Sequence, residues 1–156
     1  MAKDGLVVKH ALPALVCIGA LAAPASSAER ISFQLGEFER SISVSELSAF
    51  AAGDEPGPGL AEALRLLNPS ARKSLREALN QSAPVDSVMV SNYLTTALGK
   101  RTIQQLVKLI NQPSEVAGNA LASALIEGAS NGGSLRLIDV LQAYPLPTIP
   151  VNVNAV

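Results

Sequence analysis

The chain is 156 residues long, 48% hydrophobic and 3% aromatic, with no tryptophan and a formal net charge of −1. That length suits one compact domain and is short for two, and so balanced a charge gives no general attraction to nucleic acid or anionic lipid. A single cysteine excludes an internal disulfide, so a stable fold must come from burying an aliphatic, alanine-rich core.

The first 28 residues read as a secretory signal. Lys3 and Lys9 give a weakly positive start, residues 11–23 form an apolar run of h-region length, and Ser26-Ser27-Ala28 offers small residues for cleavage before Glu29, with Ala25 the alternative site. The run is shorter than the roughly 20 residues needed to cross a bilayer, which favours a removed leader over a retained anchor. Lipoprotein use of Cys17 is disfavoured by Val16, which stands where a small residue is wanted. The leader holds His10 and Cys17, the only histidine and cysteine of the chain. Residues 29–156 are then expected to form a single domain carrying ten basic and twelve acidic side chains.

Past the leader the pattern first alternates. Ile31, Phe33 and Leu35 face one way and Ser32 and Gln34 the other, and Ile42 and Val44 resume the alternation after a turn at residues 36–39, which predicts a β-hairpin. The period then becomes helical. Ser45 is placed to cap a short helix carrying Leu47 and Phe50 and ending at Gly53; residues 54–59, rich in proline and glycine, predict a loop. Leu60, Leu64 and Leu67 make one face of a second helix. Asn68-Pro69, a capping residue followed by proline at the first helical position, opens a third, with Ala71, Leu75, Ala78 and Leu79 inward and Arg72, Lys73 and Arg76 forming a solvated outer face. Residues 84–90 read as irregular, and Ser91 is placed to cap a turn holding Tyr93 and Leu94. A long surface helix after Gly99 puts Ile103, Leu106, Val107 and Ile110 on one stripe, opposite Gln104, Gln105 and Lys108.

In residues 115–129 the polar side chains Glu115, Asn119, Ser123 and Glu127 recur every fourth position and nearly all else is small or aliphatic, so this helix is expected to be buried over most of its circumference. Gly118 and Ala122, and separately Ala120, Ala124 and Gly128, stand four apart, where small side chains let neighbouring backbones approach; packing within the domain is expected, not a groove for a partner. Asn131-Gly132-Gly133 ends the helix. Ser134 is placed to cap the last one, which buries Leu135, Leu137, Ile138, Val140 and Leu141 until Pro145 stops it. Ile149, Val151 and Val153 then alternate with Pro150, Asn152 and Asn154 in a third strand that Pro150 confines to an edge. The expected fold class is mainly α (α+β): a compact domain of about six helices with a small sheet from the N-terminal hairpin and the C-terminal strand.

For catalysis the residues offer little. Gly128-Ala129-Ser130-Asn131-Gly132 matches the G-x-S-x-G pattern of a serine-hydrolase nucleophile elbow, but an elbow sits between a strand and a helix, whereas here a helix precedes and a glycine pair follows. Ser130 also needs a base, because a hydroxyl is a poor nucleophile until its proton is removed. Beyond the leader there is no histidine, and the only lysines, Lys73, Lys100 and Lys108, fall on solvent-facing positions. The acids are scattered without metal-ligating spacing, Asp54-Glu55 is a solvated loop pair, and no glycine loop has the strand and lysine of a phosphate cradle. No catalytic, cofactor-binding or metal-binding residue is assigned, and no cofactor is expected.

In the order and spacing of its segments the chain resembles the DUF1400 family. The resemblance runs from about residue 28 to residue 153 and is carried by Ala28-Glu29-Arg30-Ile31, Ser43-Val44-Ser45-Glu46-Leu47 with Phe50-Ala51, and Leu67-Asn68-Pro69. It continues through Val90-Ser91-Asn92-Tyr93-Leu94 with Gly99, Ala120-Leu121 to Ala129, and Leu141 to Pro145 before Ile149-Pro150-Val151. The family is one of cyanobacterial exported domains that in longer relatives precede an α/β-hydrolase. The resemblance therefore implies association with hydrolases in the periplasm, thylakoid lumen or exterior, and carries no catalytic residue onto residues 29–156. The function it implies is a non-catalytic accessory or interaction domain covering or positioning a hydrolase chain supplied in trans, with no nucleic-acid partner and no transmembrane span once the leader is removed. Two other readings stand beside it: an esterase-like hydrolase in its own right, through Ser130 or a carboxylate pair, and a helical domain that opens around an apolar ligand.

Overall fold

The computed structural model describes residues 27–35, 38–130 and 132–152. Residues 1–26, which fall within the predicted leader and include His10 and Cys17, residues 36–37, Asn131 and residues 153–156, Val153 among them, lie outside the described residues. Strands β1 (Arg30–Leu35) and β2 (Phe38–Ser43) form the predicted antiparallel hairpin, paired from Arg30–Ser43 to Leu35–Phe38. Helices α1 (Val44–Ala52), α2 (Pro58–Arg65) and α3 (Pro69–Asn80) follow, then α4 (Ser87–Thr95), α5 (Ala97–Val107), α6 (Ser114–Ser130) and α7 (Leu137–Ala143). Between these helices β3 (Ser82–Ala83) pairs with β4 (Leu135–Arg136), tying the start of α7 to the end of α3. Finally β5 (Thr148–Val151) runs parallel to β1, giving the sheet order β2-β1-β5.

The fold is mainly α with a small sheet of hairpin and C-terminal strand, as the periodicities predict. The described residues hold seven helices, where about six are predicted. The additional one is α4, whose start falls in the segment read as irregular. Asp86 nucleates it, its carboxylate accepting from Met89 N at 2.8 Å, and this outweighs the low helix propensity of the valines there. Thr96 then caps α5 by accepting from Gly99 N at 3.0 Å, so Gly99 lies inside the first turn of α5 and not ahead of it. Two further caps also shift. Ser43, not Ser45, caps α1, because the strand runs directly into the helix and Val44 is already helical. At α7 the cap position is Arg136, not Ser134, with Asp139 accepting from the Arg136 backbone N–H at 3.2 Å. The small β3–β4 pairing has no counterpart in the sequence reading.

α6 runs through the centre of the molecule and packs against α4, α5 and α7. Ala117, Ala120 and Ala124 are buried, while Glu115, Asn119, Ser123 and Glu127 form its exposed stripe. The spaced small residues serve packing within the domain. A Cβ on Gly118 would lie 3.6 Å from Ile103 Cγ2, and one on Gly128 would lie 3.1 Å from Leu135 Cδ1 and 3.2 Å from Val140 N. Around α6 gathers a core that includes Val44, Val107, Tyr144 and Ile149; a second cluster joins Leu47, Phe50, Leu60, Leu64, Leu79 and Ile138, and Ile31 and Leu141 pack against both. Three positions depart from the predicted inward faces: α2 ends at Arg65, leaving Leu67 partly in solvent, Ala78 is exposed on α3, and Leu137, predicted to be buried, is 47% exposed at the first position of α7. Pro150 sits on the edge strand as predicted, its carbonyl accepting from Asn111 N at 2.7 Å.

Candidate functional site

Ser130 is the last residue of α6, and its Oγ donates to the Glu127 carbonyl at 2.6 Å. A helix delivers the residue, and the described residues beyond it are Gly132 and Gly133, both at positive φ. The strand-to-helix geometry that presents a nucleophile is therefore not formed here. Of the lysines that could serve as its base, Lys73 pairs with Glu77 at 3.7 Å and Lys108 donates to Gln105 at 2.9 Å. Among the described residues, no group of three or more His, Cys, Asp or Glu is placed to hold a metal ion.

The polar side chains that do converge are occupied in holding helix ends. Glu46, reaching from α1, accepts from Gly59 N at 3.3 Å and Leu60 N at 3.0 Å, which satisfies the start of α2. A Cβ on Gly57 would meet that carboxylate, so a larger residue there would push the Glu46 side chain off the helix start. The basic face of α3 is exposed, as read from sequence, yet two of its guanidiniums are also anchored. Arg72 Nε donates to the carbonyls of Leu64 and Leu67 at 2.8 and 3.0 Å; Arg76 Nε donates to Phe50 O at 3.0 Å, with its guanidinium 4.3 Å from the Phe50 ring centre. Asn80 Nδ2 adds a bond to Ala51 O at 2.8 Å. Three side chains of α3 thus close the C-terminal ends of α1 and α2, while all of the basic trio stay exposed. At α7 the Arg136 guanidinium grips Asp139 at 2.6 and 2.8 Å. Those hydrogen bonds hold the carboxyl below its ordinary range despite burial. Burial pushes the Tyr144 hydroxyl above its usual value, while it donates to Gln112 Oε1 at 3.0 Å.

Between the hairpin and α2 lies a groove of about 260 Å³ lined by Phe33, Ile42, Ala63 and Leu66, with Arg40, Ser41, Gly59 and Glu62 around it. The register that pairs Ile31 with Ile42 and Phe33 with Arg40 carries the apolar sheet face outward past the core, and α2 supplies the opposite wall. Arg40 Nη1 meets Glu62 Oε1 at 3.2 Å, with the two side chains 58% and 67% exposed, so the pair contributes at most about 1 kcal/mol and exchanges partners at little cost. Sequence reasoning did not single out Arg40, Glu62 or Leu66. The available signal was the adjacent Leu66-Leu67, which continues the leucine pattern past the end of α2 and obliges one of the two to face outward.

The profile of the DUF1400 family, described as an α/β hydrolase of unknown function, matches residues 27–152. The chain belongs to the DUF1400 family. No curated protein and no solved structure matches it. Within the matched DUF1400 region the described residues form helices with a three-stranded and a two-stranded sheet, and the G-x-S-x-G pattern falls on the end of the central helix. The hydrolase of the family description thus meets, in this DUF1400 chain, a mainly helical domain whose one elbow-like serine is bonded back to its own helix.

Proposed function

We propose that this DUF1400 domain is an exported, non-catalytic accessory module that covers or positions an α/β-hydrolase unit carried by another chain. The observation that carries the reading is Ser130, whose Oγ is spent on the Glu127 carbonyl at a helix terminus, where no strand presents it to a substrate. The family description supports association with hydrolases. Ala28 bears on export: it is 5% exposed and part of the core around α6, so leader processing after Ala25 leaves the domain whole, whereas processing after Ala28 removes a core residue. The reading is tested by assaying the purified chain on short acyl esters beside Ser130→Ala. Equal, background rates are expected, together with recovery of a hydrolase when the tagged chain is isolated from its native compartment. Hydrolysis that disappears in Ser130→Ala overturns it. The apolar groove favours a second reading, retention of a small amphiphile with its apolar body against Phe33 and Leu66; native mass spectrometry that finds the chain empty argues against that one.

A further inference from the structure

The balanced charge of the whole chain conceals a segregation. Between Asp86 and Glu115 the sequence contains no acidic residue and carries Lys100, Arg101 and Lys108, a local charge of +3 that leaves −4 on the remainder. This stretch folds as α4, α5 and the turn that follows. It also bears Val88, Met89, Tyr93, Leu98 and Leu109, five of the nine large apolar side chains exposed among the described residues. Neither net charge nor hydrophobic periodicity would bring these two properties together, and here they coincide on one corner of the molecule.

That corner is rigidly built. Gly99 allows the first turn of α5 to press against the Tyr93 carbonyl, and the Tyr93 hydroxyl shares a 2.8 Å hydrogen bond with Thr102 Oγ1 across the two helices. Val90 of α4 and Gly99 and Val107 of α5 are buried. Helical spacing therefore turns Leu98, Arg101, Gln105 and Lys108 to the opposite, outer side of α5, while Met89 and Tyr93, four residues apart, stand together on α4. Lys100 and Arg101 make no ion pair among the described residues, and Lys108 reaches only Gln105.

We infer that the α4–α5 corner docks on an anionic lipid surface, with Met89, Tyr93 and Leu98 entering the boundary between headgroups and acyl chains and Lys100, Arg101 and Lys108 meeting lipid phosphates. Apolar side chains flanked by cations on long, flexible stems are the pattern of an interfacial helix surface. Two of the three cations are lysines, a residue depleted in protein–protein interfaces, so the chemistry fits lipid better than an acidic protein. Residues 63–76 are likewise free of acids and carry Arg65, Arg72, Lys73 and Arg76, but Arg72 and Arg76 are bonded to helix-end carbonyls and Lys73 to Glu77, whereas Lys100 and Arg101 make no ion pair among the described residues and are left to meet a negative surface. No helix among the described residues is long and apolar enough to cross a membrane, which makes the contact a peripheral one. This inference goes beyond the accessory reading and does not depend on it.

The chain has no tryptophan, so Leu98→Trp in the full chain places a single reporter at a site 64% exposed in the structure. With phosphatidylcholine vesicles containing phosphatidylglycerol its emission is expected to shift to the blue and to be quenched by brominated acyl chains; with phosphatidylcholine alone it is expected to stay unchanged. Adding Lys100→Gln and Arg101→Gln is expected to weaken the response about fivefold per charge removed. Leu137→Trp, at a 47% exposed position on α7, controls for adsorption through the apolar run at residues 11–23 and is expected to stay in water. Met89→Trp serves as a second reporter should circular dichroism show Leu98→Trp misfolded. No response at either reporter, an equal response at Leu137→Trp, an equal response on neutral vesicles, or a response to an acidic protein alone overturns the inference.

Discussion

Gly99 and Gly128 are small for different physical reasons. A Cβ at Gly99 would fall on the Tyr93 carbonyl oxygen, which is backbone and yields only if α4 and α5 separate. At Gly128 a Cβ would lie 3.1 Å from Leu135 Cδ1, a side-chain tip that can turn aside, and 3.2 and 3.3 Å from the backbone atoms Val140 N and Asp139 C, which need give by only a few tenths of an ångström. Gly99→Ala is therefore expected to lower stability by about 3 kcal/mol and Gly128→Ala by about 1 kcal/mol, read as lower urea midpoints at unchanged slope. An unaltered midpoint for Gly99→Ala would refute the close crossing. Asp139 gives a prediction in pH. Because the Arg136 hydrogen bonds depress its folded pKa, the stability it contributes is present above the unfolded carboxyl value of about 4 and is lost as pH falls through the lower folded value. Asp139→Asn should lose this part of the acid sensitivity. Urea midpoints taken between about pH 6 and about pH 2 should converge for the two proteins toward the acid end, and curves that run parallel throughout would exclude the pair as a contributor.

Among the elements, α3 fixes its neighbours through side chains, since Arg72, Arg76 and Asn80 reach the C-terminal carbonyls of two other helices. Arg76→Ala removes a hydrogen bond to Phe50 O and the stacking on its ring, and is expected to cost about 1 to 2 kcal/mol. Lys73→Ala, which breaks only an exposed pair within α3, is expected to cost under about 0.5 kcal/mol. Equal urea midpoints for the two variants would show that Arg76 caps nothing in solution. These side chains also mark the limit of what the sequence makes legible. Arg72, Lys73 and Arg76 look alike on a helical wheel, and only the positions where α1 and α2 end separate an anchor from a solvated charge. The period of two over residues 31–35 and the helical periods from Leu47 onward are local properties, so the hairpin, the buried α6 and the fold class can be read from them. The start of α4 is hidden because Val85, Val88 and Val90 favour an extended chain until Asp86 caps it. The groove is hidden because it needs the Phe33–Arg40 register and the docking of α2 together. Ser130 was legible as a helix end because Gly132 and Gly133 announce the stop.

At the scale of the whole molecule, the core around α6 and the cluster beneath α1, α2 and α3 are joined by few side chains. Ile31, from the central strand, and Leu141, from α7, touch both, and β1 carries the connection by pairing with β2 on one side and β5 on the other. If these bridges couple the two clusters, the chain unfolds as one cooperative unit, since exposing either leaves Ile31 and Leu141 half in water at a cost of roughly 1 kcal/mol or more each. Urea unfolding followed by circular dichroism, which samples all the helices, and by the environment of Tyr144, buried in the α6 core, should then give coincident transitions. Leu141→Ala is expected to remove about 2 kcal/mol, near the low end for a core leucine because the side chain is only partly buried, and to move both signals together. A helical transition that splits in two, with the Tyr144 signal following only one part, would mean that the clusters melt separately. The α1–α3 layer would then be a unit able to open while the α6 core and the α4–α5 corner it supports stay folded, and the groove between the hairpin and α2 would open with it.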